Sequence, residues 1–161
     1  MSYPFKKVLC PVQLDDSEQV ALDLASRLAK DMDATVYLMH VVPILPIDAP
    51  NVTITVHSQA ADEARLRLQE LAAKELAGLK SEIITRVAGP GEVARTVLEV
   101  ATELDTDLIV LKTHGRSGLA HFIMGSVAEQ IVRRAHCPVL TLTSTAKERH
   151  TGLSARLESS H

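Results

Sequence analysis

The chain has 161 residues, enough for one domain with a genuine core and too few for two complete ones. Hydrophobic residues make up 46% of it and aromatic residues only 2%, so the interior must be built from Val, Leu, Ile and Ala, which suits a parallel sheet covered by helices. A formal net charge of −3 argues against a general nucleic-acid binder, and the scarcity of Trp, Phe and Tyr removes the stacking platforms that single-strand binders use.

Residues 5–12 form an apolar strand, too short and too early for a secretory core segment. Asp16, with Gln19 three residues on, signals a capped helix over 17–33, where Val20, Leu24 and Leu28 recur beside Ala21, Ala25 and Ala29. Residues 35–42 read as a second strand. The segment 43–57 contains three prolines and is expected to be a loop. A long helix over 58–79 follows, with Ala64, Leu68, Leu71, Ala72 and Leu76 inward and Asp62, Glu63, Arg65, Arg67, Glu70 and Lys74 on a solvated face.

Strand three is expected over 83–88, helix three over 92–104 and strand four over 107–112. Helix four spans 125–135, with Val127, Ala128, Ile131 and Val132 inward, and strand five spans 138–143. The alternation makes a single doubly wound α/β domain over 1–143 the default, a five-stranded parallel sheet with helices on both faces and an expected order of 3-2-1-4-5. The polar tail 144–161 lacks periodicity and is expected to be disordered. No apolar run approaches the roughly 20 residues needed to span a bilayer, so no membrane partner and a cytoplasmic location are expected. Cys10 and Cys137 would be separated by an intervening strand, too far for a disulfide, and two cysteines so spaced make no zinc site.

The most informative stretch runs from Leu108 to Leu140. An apolar strand empties into a glycine-containing loop, which feeds a helix opened by Gly125-Ser126. Loop amides and the free N–H groups of a helix start bind phosphate without any catalytic side chain. The competing reading makes Gly115 and Gly118 ordinary turn glycines and Ser126 an N-cap completed by Glu129.

The run Thr113-His-Gly-Arg-Ser-Gly, with Gly125-Ser126 after nine intervening residues from Gly115 and Cys137-Pro-Val after it, resembles the signature of the universal stress protein family. The segments Lys6-Lys-Val-Leu-Cys-Pro-Val12, Val36-Tyr-Leu-Met-His-Val-Val42 and Val87-Ala-Gly-Pro-Gly91 resemble its first two strands and the turn before its third helix, so the likeness covers residues 5–143. The resemblance implies an adenine nucleotide, ATP or AMP, as ligand. Gly115, Gly125 and Ser126 would line the phosphates, Val41 would contact the adenine, and Pro11 would shape the wall. It further implies a regulatory homodimer in stress response, joined through the edge strand 138–143. Val139, Leu140 and Leu142 on an edge with unpaired amides support that pairing independently.

Ligands of such sheets bind where strand order reverses, here between strands one and four, beside the segments 11–14 and 112–118. Val12, Thr113 and Gly118 join the nominated site on that ground, and Arg116 is the best side-chain contact for phosphate. Two positions depart from the nucleotide-binding members. Gln13 stands where an aspartate commonly holds the ribose, and Lys112 where a loop glycine stands. Gln13 is neutral and accepts through one oxygen only, so ribose holding should weaken. Lys112 either reaches phosphate as a point charge or fills the ribose space.

Gly89-Pro-Gly-Glu-Val-Ala94 meets the dinucleotide fingerprint in form, but it follows the third strand and carries a rigid proline in the middle, so it reads as a turn. His40 reads as a satisfied core histidine and His114 as a loop element, and neither pairs with His121 or His136 at ligand spacing. Asp15, Asp16 and Glu18 read as helix N-terminal charges. A nucleotide can bring magnesium with it, although the sequence places no acid to hold the ion. Without a Walker loop or nucleophile elbow, hydrolysis would be slow at most, and the chain reads as no enzyme. The rival readings are an interaction protein with a pocket made degenerate by Gln13 and Lys112, and an enzyme acting on another phosphorylated metabolite.

Overall fold

The computed structural model describes residues 5–15, 18–44, 50–113 and 124–143. Strands β1 (Lys7–Pro11), β2 (Thr35–Pro43), β3 (Ser81–Ala88), β4 (Leu108–Thr113) and β5 (Val139–Thr143) alternate with helices α1 (Gln19–Met32), α2 (Pro50–Glu75), α3 (Val93–Glu103) and α4 (Ser126–Arg134). The strands form one sheet of order β3-β2-β1-β4-β5, and every neighbouring pair is parallel.

Successive strand side chains point to opposite faces, and both faces here are covered, so the central strands are apolar at nearly every position. Val8, Cys10, Val36, Leu38 and Val110 pack against Leu22 and Ala25 of α1, Leu68 of α2 and Leu76 just beyond it. Leu9, Met39, Ile109 and Leu111 pack on the other face against Val97, Val100 and Ile131 of α3 and α4. Each layer is aliphatic, as the composition demands.

Several boundaries differ from the sequence reading. Helix α2 begins at Pro50, inside the segment expected to be a loop. A proline needs no N–H in a first helical turn, so Pro50 opens the helix instead of excluding it. Helix α1 starts at Gln19, and its N-cap is Glu18, which makes no side-chain capping bond. Asp16 and its expected cap lie outside the described residues, as do Ser17 and the tail 144–161. In α4 the N-cap is Gly125, so Ser126 is the first helical residue and the Ser126–Glu129 capping box does not form. The inward stripe of α4 is Ala128 and Ile131, while Val127 and Val132 are 36% and 42% exposed. A nine-residue helix lying on a sheet buries one narrow stripe, and those two valines flank it.

The N-terminal end of the sheet is tied shut. The Asp107 carboxylate accepts the amides of Lys6 and Lys7 at 2.7 and 2.8 Å. Lys7 Nζ donates to the Leu104 carbonyl at 2.7 Å, and Lys6 Nζ to the Met32 carbonyl at 2.9 Å. The C-terminal end is open. Strands β1 and β2 pair through Pro11↔Met39, whereas the β1–β4 register comprises Val8↔Leu108 and Leu9↔Ile109. Beyond that point the two strands part, which opens a crevice where strand order reverses.

Candidate functional site

A cavity of about 470 Å³ fills this crevice. Its floor and walls are apolar: Met39, Val41 and Pro43 from β2, Val93 and Val97 from α3, Leu111 from β4, and Val127, Ala128 and Ile131 from α4. Polar groups stand at the strand ends and at the start of α4, where Gln13, His40, Lys112, Thr113 and Ser126 line it. The size lies in the range of small-molecule sites, and an apolar body with a few convergent polar groups is their usual make-up.

Of the nominated residues, Pro11, Val12, Gln13, Val41, Lys112, Thr113, Gly125 and Ser126 all line this one cavity, although they come from four separate stretches of chain. Gly115, Arg116 and Gly118 lie outside the described residues, and so do His114 and His121. The departures Gln13 and Lys112 both face the cavity. The turn Gly89-Pro-Gly is not among its lining residues. Gly91 there adopts φ +77°, a left-handed conformation open to glycine, before α3 begins.

The start of α4 supplies the donors. Its first-turn N–H groups have no partner within a helix, and Gly125 as N-cap has no side chain with which to satisfy one. The Gly125 backbone is extended, at φ −60° and ψ 153°, and a Cβ built there would meet nothing within 4 Å. This glycine is therefore required by neither strain nor crowding inside the protein. What its bare Cα provides is room in front of the amides.

Sequence reasoning missed the apolar lining. Val93 and Val97 are spaced i, i+4 on α3, a pattern that marks an inward stripe but does not separate core from cavity wall. His40 is half-buried and satisfied, as expected, yet it also lines the cavity. Its Nδ1 lies 2.8 Å from the Val12 carbonyl. A carbonyl only accepts, so Nδ1 carries the proton.

Glu18 was the larger omission. Its side chain is buried at 6% exposure, and Oε1 accepts the Leu14 amide at 2.6 Å. Burial pushes the carboxyl up to about 7, against the pull of the Leu14, Gln13 and Asp15 amides and with a further push from the Asp15 charge. Leu14 itself sits at φ 62°, a left-handed conformation that costs a non-glycine residue about 1–2 kcal/mol. Arg67 Nη2 of α2 donates to the Leu14 carbonyl at 2.6 Å. The strained residue next to Gln13 is thus held at both its amide and its carbonyl.

A doubly wound parallel sheet with an apolar cavity and a helix start at its switch point is the architecture in which open α/β domains place their small-ligand sites. The model of the universal stress protein family matches residues 4–142, and the chain belongs to that family. It is 30% identical over 150 residues to universal stress protein MJ0531 of Methanocaldococcus jannaschii, a match covering 89% of this chain and 85% of that one. Among solved structures, the hypothetical protein MJ0577, a universal stress protein of the same organism, superposes with a TM-score of 0.73 at 22% identity, covering 87% of this chain and 96% of that one. A universal stress protein from Archaeoglobus fulgidus, solved in complex with dAMP, superposes with a TM-score of 0.55 at 20% identity and covers 86% and 98%. At these identities the structural likeness is one of fold.

Proposed function

We propose that this chain is a regulatory protein that binds an adenine mononucleotide in the cavity between β1 and β4. The observation that carries the reading is the uncapped start of α4 facing an apolar cavity of about 470 Å³. The amides after Gly125 would take the phosphate, and the wall made by Met39, Val41 and Val97 would take the base. Support at the family level comes from the dAMP complex and from a second universal stress protein solved with cAMP, 24% identical with a TM-score of 0.54.

In this reading Lys112 and Gln13 set the selectivity. Gln13 lacks the charge that strengthens ribose hydrogen bonds, and Lys112 adds a cation beside the phosphate position. That combination shifts the holding from the ribose to the phosphates, with ATP and AMP both candidate ligands. Among the described residues, no group of three or more His, Cys, Asp or Glu side chains is placed to hold a metal ion, so magnesium would arrive with the nucleotide. The role is regulatory and not catalytic, with hydrolysis slow at most. Among the described residues no helix is long and apolar enough to cross a membrane, and a cytoplasmic site of action accords with the reading.

The reading includes a homodimer through the edge strand β5. Within the described residues β5 pairs with β4, its other edge carries no strand, and Leu140 is 37% exposed there. Leu140→Arg is expected to yield a folded monomer by analytical ultracentrifugation, and an unchanged sedimentation coefficient would rule that interface out.

Thermal-shift titration with ATP, ADP, AMP and cAMP tests the ligand. A nucleotide at 100 times its Kd should add about 2.7 kcal/mol of stability. Absence of any shift at millimolar nucleotide would favour an interaction protein with a degenerate pocket, and turnover of another phosphorylated metabolite, lost in Lys112→Ala, would favour an enzyme. Mass spectrometry of copurified ligand would identify the physiological one.

A further inference from the structure

We propose that Glu18 and Arg67 are positioning residues for the cavity: together they clamp the left-handed Leu14 and so fix the backbone of Gln13 at the cavity mouth, without touching the ligand. The inference rests on the mononucleotide reading for its effect on affinity, but the clamp itself stands on geometry. The β1–α1 loop leaves the sheet at Pro11 and turns at Leu14, whose φ of 62° an unrestrained leucine rarely adopts. Three elements hold that turn. Glu18, at the start of α1, accepts the Leu14 amide at 2.6 Å; Arg67, from the middle of α2, donates to the Leu14 carbonyl at 2.6 Å; and His40 of β2 donates to the Val12 carbonyl at 2.8 Å. Gln13 lies between the last two anchored residues and lines the cavity.

The clamp answers a specific problem of this chain. A loop that carries a neutral, longer side chain where charge is absent holds a ribose only as well as its backbone is fixed. Glu18 does that fixing from a buried position, where a carboxylate with no hydrogen-bond donors would not persist. The donors it finds are the loop amides of Leu14, Gln13 and Asp15. An ionised carboxylate accepts from several amides through both oxygens, while the protonated acid surrenders part of that capacity. The clamp is therefore tightest when Glu18 is charged. Among the described residues, the titratable groups facing it are Asp15 in the loop, Cys10 on β1, and Arg67, Glu70 and Lys74 across the cleft on α2.

Two variants and two readouts test the proposal on the full chain. Arg67→Met removes the donor to the Leu14 carbonyl, so faster hydrogen exchange at the Gln13 and Leu14 amides in this variant reports the loop as a unit. Arg67→Lys, which keeps a donor on a long stem, should restore most of the protection. With cAMP as probe, whose phosphodiester does not titrate near neutrality, Arg67→Met and Glu18→Gln should each weaken binding by about 2- to 30-fold. The wild type should bind cAMP more weakly as the pH falls from about 8 to about 6, and Glu18→Gln should lose that dependence. Unchanged exchange in Arg67→Met overturns the clamp. So does a loosened loop whose affinity for cAMP matches the wild type. If the wild type binds no adenine nucleotide at all, the mononucleotide reading falls, and the exchange experiment alone still decides the clamp.

Discussion

The two ends of the sheet are built from the same five strands and differ in what satisfies their backbone. At the N-terminal end, Asp107 closes the amides of Lys6 and Lys7 across some hundred residues of sequence, and both lysines return their ammonium groups to carbonyls of Leu104 and Met32. At the C-terminal end, β1 and β4 part after Leu9↔Ile109, the first-turn donors of α4 face a cavity, and the β1–α1 loop holds a left-handed leucine. Backbone closure and the candidate site thus lie at opposite poles. The closed end uses its donors within the fold, whereas the open end carries a helix start with no side-chain cap among the described residues and a strained leucine whose cost the rest of the fold must offset.

The difference can be broken from the closed end first. Asp107→Ala removes both carboxylate bonds at once and is expected to lower unfolding stability by about 2–3 kcal/mol, because hydrogen bonds to charged groups contribute about 1.5–3 kcal/mol each and of these one is exposed and the other partly buried. Urea unfolding should show a lower midpoint with an unchanged slope. Nucleotide affinity should not move. A comparable loss of affinity would mean that the two poles are mechanically coupled.

The reciprocal experiment acts at the open end. A Cβ at Gly125 meets nothing within 4 Å, so Gly125→Val folds, and its branches occupy the space in front of the α4 amides. Affinity for AMP is expected to fall by about tenfold or more, about 1.4 kcal/mol, by calorimetric titration. The stability cost should stay below about 1 kcal/mol, that of a poorer N-cap. Unchanged affinity would move the phosphate away from α4.

What the sequence disclosed about these poles follows from how local each signal is. Five apolar runs separated by helical stretches were enough for a parallel sheet, whose order was an expectation of the fold class and not of the runs, and the glycines near α4 together with Pro11 to Gln13 pointed to the crevice, because strand ends and helix starts are written in neighbouring residues. Pro50 was read as loop punctuation, although a proline inside the first turn looks the same in sequence as one that breaks a helix. Glu18 was read as a helix N-terminal charge that complements the dipole. Its burial depends on α2 arriving over the β1–α1 loop some fifty residues later, with Arg67 reaching the Leu14 carbonyl, and no local pattern encodes that. Val93 and Val97 were legible as an inward stripe, but whether inward means core or cavity is decided by how far β1 and β4 separate.

The open pole should also carry a pH signature. Burial raises the Glu18 carboxyl to about 7 from its ordinary 4.5, so the folded chain holds this proton more tightly than the unfolded chain does. The contribution of Glu18 to stability is therefore fully present below about 4.5 and is lost as the pH rises through about 7. Urea midpoints measured from about pH 5 to about pH 8 should fall in the wild type and fall less in Glu18→Gln, which keeps an acceptor but no titrating group. The sign opposes that of the clamp: the charged form that best holds the loop is the one the fold tolerates least. Equal pH profiles in the two proteins would mean that Glu18 is solvated when the chain folds.

The smallest effect separates the poles by thiol chemistry. Cys10 lies fully buried on β1 toward the open end, and burial, helped by the Glu18 charge, pushes its thiol up to about 12. Cys137 is half-buried just before β5, and its thiol is raised by burial and by Asp107, with its own amide opposing. The thiolate is the reactive form, and at pH 8 a thiol of that strength is ionised in about one molecule in ten thousand. A disulfide-exchange reagent should therefore label Cys137 slowly in the native protein and Cys10 only on global unfolding, with urea dependence to match. If Cys10 is labelled at a rate independent of urea, the sheet opens locally beneath α1 and α2 without global unfolding.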